Sequence, residues 1–361
     1  MFTSLHYQIA LTLLPGLGPA KLRPLLARYT PQQLFELSPL ELEKSGQISK
    51  HCIATIHAFN NWKRVEEEIN FIEKNKIKTN FITEENFPFR LKECNDAPLL
   101  LYEKGTANLN APKTLAIVGT RSNTESGKKF TKDLIEALQF SNITIVSGLA
   151  YGIDSIAHQQ ALCHQLPTIA VLAHGLDRIY PSINRKLAQE ILQQKGSLLS
   201  ECRQGEKTDA YLFPRRNRII AGLSDATLVV ESDEKGGSLI TADLAWGYHR
   251  TVFAVPGRPT DPKSSGCNQL IKNQRAQLIT GAHDLLYWMN WTEDHSRSIS
   301  KTETSLEEKR ILALLTTHNE LHGDELLQKT GYASGQLAEI LLNLSLAGLI
   351  VSLPGHRYQL G

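Results

Sequence analysis

The stretch LAIVGTRSNTESG (residues 115–127) decides how the chain is read. An apolar run ends at Gly119, a loop rich in Gly, Ser, Thr and Asn follows, and the helical spacing of Phe130, Leu134, Ile135 and Leu138 begins straight after it. A strand that is apolar throughout and passes through a glycine into a helix is the opening unit of a parallel sheet covered on both faces. The same texture recurs in ITIVSG from 143, TIAVLA from 168, SLLSE from 197, ATLVVE from 226 and TVFAVP from 251. Lys113 to about Pro256 is therefore predicted to be α/β, with a Rossmann-like, mostly parallel sheet.

Outward from that centre the pattern changes. Residues 1 to about 60 place Leu5, Ile9 and Leu13, then Leu34 and Leu37, then Ile53 and Ile56, at helical spacing, with breaks at Pro15-Gly16 and Gly46. Residues 61–112 mix a charged helix with short strands and are assigned to the α/β domain. Residues 291–304, WTEDHSRSISKTET, hold few apolar side chains and read as a linker. Beyond it come helices from Leu306, Asp324 and about Ser334, a turn at Gly331, and two short strands joined by Pro354-Gly355, which together make a winged helix. The predicted domains are 1–62, helical and helix-hairpin-helix-like; 63–290, Rossmann-like; and 305–361, winged helix. A length of 361 residues, at about 150 per domain, allows that division.

Composition removes several classes of function. Hydrophobic residues make up 41% and charged residues 21%, which is too apolar for disorder. The 39 Lys and Arg against 37 Asp and Glu leave a net charge of +2, so nucleic-acid affinity must come from local clusters rather than the whole-molecule field. Cys52, Cys94, Cys163, Cys202 and Cys267 are an odd set without a C-x-x-C pair, which fits reduced thiols in a cytoplasm better than a disulfide framework or a zinc site. No apolar run reaches the roughly 18 residues that a membrane helix needs, and the first Lys is Lys21, so no basic leader is read. No metal and no cofactor are predicted.

Four stretches offer chemistry. In GTRSNTESG (119–127), loop N–H groups and a helix dipole favour an anion and Arg121 adds a cation suited to phosphate, though an ordinary strand-to-helix loop has the same composition. In SGLAYGID (147–154), Asp154 and the His158 that follows read as a helix-capping carboxylate with a partly buried imidazole rather than as a catalytic pair. ESDEKGGSLIT (231–241) is a third Gly-rich junction, and all three belong at strand carboxyl ends, where α/β sheets bind ligands. LFPRRNRIIAGLS (212–224) crowds Arg215, Arg216 and Arg218 beside Tyr211 and Phe213, a composition suited to neutralising phosphates while bases stack; one of these arginines can equally be a buried anchor for Asp225 or Glu231.

The flanking units are less pointed. LLPGLGPAKL near residue 15 has the turn of a helix-hairpin-helix, with Lys21, Arg23 and Arg28 as its nearby cations. The C-terminal 57 residues hold six acids (Glu307, Glu308, Glu320, Asp324, Glu325, Glu339) and four bases (Lys309, Arg310, Lys329, Arg357), and the third helix has no Lys or Arg. A helix that enters the major groove brings cations to phosphates and bases. The winged helix therefore reads as a protein-contact or weakly DNA-binding module.

Taken in order, GTRSNTESG, SGLAYGID, AHGLDRIYPSIN, LLSE, FPRRNRIIAGLS, GGSLITA and VFAVPGRP resemble the DprA/Smf family of DNA-processing proteins, over roughly residues 65–285. The resemblance implies a non-enzymatic, dimeric single-stranded DNA-binding protein of the cytoplasm that protects incoming DNA and loads the recombinase RecA onto it during natural transformation. It places the phosphate- and ssDNA-binding residues at Gly119, Arg121, Thr124 and Gly127, at Phe213, Arg215, Asn217 and Arg218, and at Gly236, Gly237 and Ser238; Thr120, Ser147 and Gly148 of the same strand-end loops are predicted to join them. Ser126 stands where the family usually has Tyr, Ala173 where the third strand usually ends in Gly, and Arg275 where a Gly usually precedes Ala.

Two other classes compete. A Rossmann-like nucleotide phosphoribohydrolase of the lysine-decarboxylase-like group would show PGG-x-GT and a following Glu; this chain has KGGSLITAD, with Lys235 for Pro and only Asp243 near the acid's place. A transcription regulator would rest on the winged helix alone, against its uncharged third helix.

Overall fold

The computed structural model describes residues 2–44, 48–207, 209–291, 305–318, 320–346, 349–353 and 355–360. The predicted break at Gly46, Pro354 of the last turn, and all of the predicted linker except Trp291 lie outside them. The chain divides into two compact units, Met1–Trp291 and Thr292–Gly361.

The first unit opens with helices α1 (Ser4–Thr12), α2 (Pro19–Leu26), α3 (Pro31–Glu36), α4 (Pro39–Lys44), α5 (Lys50–His57) and α6 (Trp62–Lys74). Strand β1 (Lys78–Phe81), helix α7 (Phe89–Lys92) and strand β2 (Leu100–Gly105) resolve the segment whose elements the sequence leaves mixed. The α/β series follows: β3 (Thr114–Val118), α8 (Glu125–Ala137), β4 (Thr144–Ser147), α9 (Ile153–Cys163), β5 (Thr168–Leu172), α10 (Arg185–Gln193), β6 (Ser197–Ser200), α11 (Leu212–Leu223), β7 (Ala226–Val229), α12 (Gly237–Gly247), β8 (Thr251–Ala254), α13 (Ser265–Lys272), β9 (Gln277–Leu278) and α14 (Ala282–Trp288).

The nine strands form one sheet in the order β1-β2-β6-β5-β4-β3-β7-β8-β9. β1 and β2 are antiparallel additions at one edge, and every pair from β6 to β9 is parallel. Six of the seven parallel strands stand where the apolar runs predict them; the two-residue β9 is too short to show a pattern. Successive side chains point to opposite faces. Leu115 and Ile117 join the core under α8 and α9, while Ala116 and Val118 join a second core that contains Ile219 and Ile220 of α11. That second core also holds Ile9, Leu11, Leu22 and Leu34, so the N-terminal helices are packed into the same unit as the sheet.

From β3 the chain steps outward through β4 and β5 to β6, then α11 carries it back to β7 on the far side of β3. Right-handed crossovers put α8, α9 and α10 on one face and α11 and α12 on the other. The direction of winding reverses between β3 and β7. The five cysteines form no disulfide, and burial pushes Cys94 up to about 11 and both Cys202 and Cys267 up to about 12.

The second unit comprises α15 (Leu306–His318), β10 (Glu320–His322), α16 (Gly323–Thr330), α17 (Ser334–Leu346), β11 (Ile350–Leu353) and β12 (Arg357–Leu360). The three predicted helices and the strand pair are present, and β10 adds a third strand beside β12. Ile311, Leu326, Leu337 and Leu344 form its core.

Phe253 on β8 is fully buried in the core beneath α8 and α9. Phe253→Ala is expected to destabilise the first unit by about 3–5 kcal/mol, the usual cost of emptying such a site. Denaturant unfolding followed by circular dichroism measures it.

Candidate nucleic-acid interface

The three Gly-rich junctions do stand at the carboxyl ends of β3, β4 and β7, but each does something different. Thr124 caps α8, its hydroxyl accepting from the Gly127 N–H at 3.1 Å. The anion at that helix end is the protein's own. The Glu231 carboxylate, 6% exposed, accepts from the Thr124 N–H at 2.9 Å and from the Thr124 hydroxyl, and it lies against the Cα of Gly127. Thr124 and Gly127 thus hold a carboxylate where a nucleotide-binding sheet holds phosphate. Gly119 packs on Ile153, and the Thr120 N–H donates to the Glu231 carbonyl at 2.8 Å.

At the end of β4 the buried Ser147 hydroxyl donates to the Ile117 carbonyl at 2.7 Å, and Gly148 makes room for Arg216. A Cβ at Gly148 would stand 2.6 Å from the guanidinium carbon, so any larger residue there would push the Arg216 head group out of place. Arg216 is 5% exposed and donates to the carbonyls of Gly148, at 2.6 Å, and of Val171. Burial pushes it down to about 10 against the attraction of Asp154. Asp154 is buried as well, and its carboxylate accepts from the N–H groups of Gly148 (3.2 Å) and Ala150 (3.4 Å). Burial holds its carboxyl above the usual range, opposed chiefly by Arg216. It gathers the loop in front of α9 rather than capping the helix, whose N-cap is Gly152.

Arg121, from the β3 loop, is exposed, and its guanidinium lies over the Phe213 ring at 5.3 Å from the centroid. Together with Gly148, Tyr151, Tyr180 and the buried Arg216, these two residues line one recess. Two of the other predicted cations lie elsewhere. Arg215 and Arg218 both donate to the Glu201 carboxylate, Arg215 at 3.0 Å, and Arg218, 7% exposed, also donates to the Asp96 carbonyl. The buried anchor that the sequence allowed among these arginines is therefore real, with Glu201 as its partner; Asp225 pairs instead with Arg90.

The third junction is internally bonded. Ser238 donates to the Ser232 hydroxyl at 2.9 Å, Gly236 caps α12, and Asn217 donates to the Gly237 carbonyl at 3.3 Å. These residues join α11 to α12 and do not line the recess. Of the predicted set, Arg121, Gly148 and Phe213 come together there. Sequence reasoning passed over Tyr151 and Tyr180, which sit inside quoted motifs as single aromatics, and treated Arg216 only as one of three crowded arginines. At the N-terminal hairpin, Arg23 donates to the Lys92 carbonyl at 2.8 Å and to that of Cys94, so one of its three cations anchors the hairpin to the body of the unit.

His158 is fully buried, bonded through Nδ1 to the Thr168 hydroxyl at 2.7 Å, and burial pushes it down to about 3. An imidazole that stays neutral when folded but has an ordinary pKa near 6.5 when unfolded binds fewer protons in the folded state. Its contribution is intact above about pH 6.5 and is lost progressively toward pH 3, by at most about 1.4 kcal/mol per pH unit. His158→Gln is expected to flatten that acid limb. Urea unfolding repeated between neutral pH and about pH 5 reads the slope.

Comparison with known proteins agrees with this architecture. The family described as DNA recombination-mediator protein A matches residues 78–290, and the DprA winged helix domain matches residues 297–356. Protein Smf of Synechocystis is 32% identical over 98% of this chain and 98% of its own. DNA processing protein DprA of Streptococcus pneumoniae is 42% identical over 57% of this chain and 72% of its own. The X-ray structure of that S. pneumoniae protein superposes with a TM-score of 0.66 at 34% identity, covering 78% of this chain and 97% of the other. DNA processing protein A of Helicobacter pylori, whose structure is described in terms of its single-stranded DNA binding mode, superposes with a TM-score of 0.54 at 33% identity over 60% of this chain and 96% of its own. Since both units match domains of one family and one relative matches from end to end, this chain belongs to the DprA/Smf family of DNA-processing proteins.

Proposed function

We propose that the protein is a single-stranded DNA-binding recombination mediator that protects incoming DNA and hands it to RecA during natural transformation, acting as a cytoplasmic homodimer without catalysing a reaction. The observation that carries the reading is the exposed Arg121 guanidinium seated on Phe213 at the mouth of a recess whose wall is a buried arginine. A fixed cation beside aromatic rings takes a phosphate without regard to sequence while neighbouring bases stack. The ssDNA binding named for the H. pylori relative supports the same chemistry here. RecA, the homodimer and natural transformation follow from the family resemblance. Among the described residues no helix is long and apolar enough to cross a membrane.

The phosphoribohydrolase reading finds less support. Its acid would have to be Asp243, but that side chain is half-exposed on α12 and pairs with Arg275 at 2.8 Å. Among the groups near the recess, His158 is buried and neutral, and Asp154 is engaged by loop amides. Neither is placed as an accessible general acid or base.

In the second unit, α17 presents no Lys or Arg, and Arg357 of the wing pairs with Glu320 at 3.0 Å. We propose that this winged helix is a protein-contact or only weakly DNA-binding module.

Fluorescence anisotropy with single-stranded and duplex oligonucleotides of equal length, at several salt concentrations, tests the reading. The expected result is a salt-dependent preference for the single strand. Arg121→Ala should weaken binding and lower the salt slope by about 0.7 for the phosphate contact removed. Binding of neither form, or release of free base from AMP, would overturn it.

A further inference from the structure

We propose that the outward face of α17 is a docking surface for a cationic amphipathic helix of a partner protein. The inference rests on the protein-contact reading of the winged helix and says what that module takes.

The two faces of α17 differ in character. Leu337, Ile340, Leu341 and Leu344 recur at helical spacing and are buried in the core of the second unit. Gly335, Ala338, Glu339 and Leu342 occupy the opposite face, and all four are exposed. At about 100° per residue, Leu342 stands on the side away from that core, so its side chain, 59% exposed, adds nothing to the packing of the unit. A single exposed leucine is ordinary on a protein surface. Here it sits at the centre of the helix that follows the turn of a helix-turn-helix pair, the element that such modules lay on their target. Two more apolar side chains flank it. β11 lies against α17, and Leu349 and Val351 at its start remain 40% and 44% exposed. The Leu349 N–H donates to the Leu344 carbonyl at 3.0 Å, which keeps that apolar end beside the last turn of the helix. The small residues Gly335 and Ala338 leave room ahead of Leu342, and a Cβ at Gly335 would meet nothing within 4 Å.

Charge then selects the partner. Glu339 stands three residues from Leu342 and three from Gln336, which makes the three neighbours on one strip. Glu307 of α15 accepts from the Gln336 side chain at 3.0 Å, so a second carboxylate borders the strip. No cation on the page offsets them: α17 has no Lys or Arg, Arg310 lies over the Tyr332 ring at 5.8 Å, Arg357 pairs with Glu320, and Lys309 and Lys329 belong to α15 and α16. A phosphate backbone laid on this face would meet two carboxylates, and a second copy of the face would set like charges against each other. A helix with Lys or Arg interleaved among apolar side chains satisfies both the leucine and the acids.

The test uses the full chain and fluorescence anisotropy of a labelled helical peptide of Leu and Lys at heptad spacing, with a Leu/Glu peptide of the same pattern for comparison. Wild type should bind the Leu/Lys peptide and not the Leu/Glu one. Leu342→Ser and Glu339→Lys should each weaken binding about tenfold. Glu136→Lys makes the same charge change at an exposed position of α8 in the first unit and should alter binding less than about twofold. Both strip positions are exposed, so neither substitution empties the core. Failure of the wild type to bind the Leu/Lys peptide, binding of both peptides alike, strip variants that lose nothing, or an equal loss in Glu136→Lys would overturn the proposal and leave the protein-contact reading standing. Duplex DNA bound by the wild type and released by Leu342→Ser would overturn both.

Discussion

The Arg216 guanidinium sits where two parallel strands end, and its hydrogen bonds to the carbonyls of Gly148 and Val171 tie α11 to β4 and β5. A buried charge survives only when its donors are satisfied and an opposite charge is near. That requirement dictates its surroundings. Gly148 lacks a Cβ because the guanidinium fills the space, Asp154 lies buried close by, and the Asp154 carboxylate in turn gathers the loop amides that precede α9. Phe213 lies three residues earlier on the same helix, hence on the same face. Anchoring Arg216 therefore places the ring on which Arg121 rests.

The three crowded arginines of α11 have separate fates because a helix turns about 100° per residue. Arg216 points at the strand ends, whereas Arg215 and Arg218, three apart, converge on Glu201. The clustering that makes FPRRNR resemble a nucleic-acid patch in one dimension is thus divided in three between a wall of the recess and an ion-pair network. The cation left over the recess, Arg121, comes from a loop 92 positions upstream of Phe213 in the chain.

Glu231 explains why the exposed cation, Arg121, and not the end of α8, is what remains open to an anion. In a doubly wound sheet, ligands settle where the winding reverses, and anions settle on the helix end there. Here that point lies between β3 and β7, and the Glu231 carboxylate already occupies the first turn of α8. A phosphate would meet a buried negative charge. The open cation lies one strand along, toward β4, where carbonyls and aromatic rings replace the amides of a nucleotide-binding loop. The same glycines that permit a phosphate loop, Gly119 and Gly127, are used for packing against Ile153 and Glu231.

Legibility followed the physics of each signal. Buried parallel strands leave continuous apolar runs, so β3 to β8 could be read directly; β1 and β2 are masked by a mixed, charged context, and β9 is two residues long. The exposure of Arg121 was legible because a cation in a Gly-rich loop at a strand end has few buried partners within reach. Thr124 and Gly127 stand at the first turn of α8, as the loop-to-helix reading places them, but their partner was not legible, since nothing local says that a carboxylate 107 residues away will fill the helix end. Arg218 looks the same as Arg216 in sequence, and only the pairing of one with Glu201 and the other with strand-end carbonyls separates them. Tyr151 and Tyr180 carry no periodicity at all. Their exposure beside Arg121 at one recess is a property of three dimensions. With a net charge of +2, the long-range attraction of the whole molecule for an anionic strand is weak.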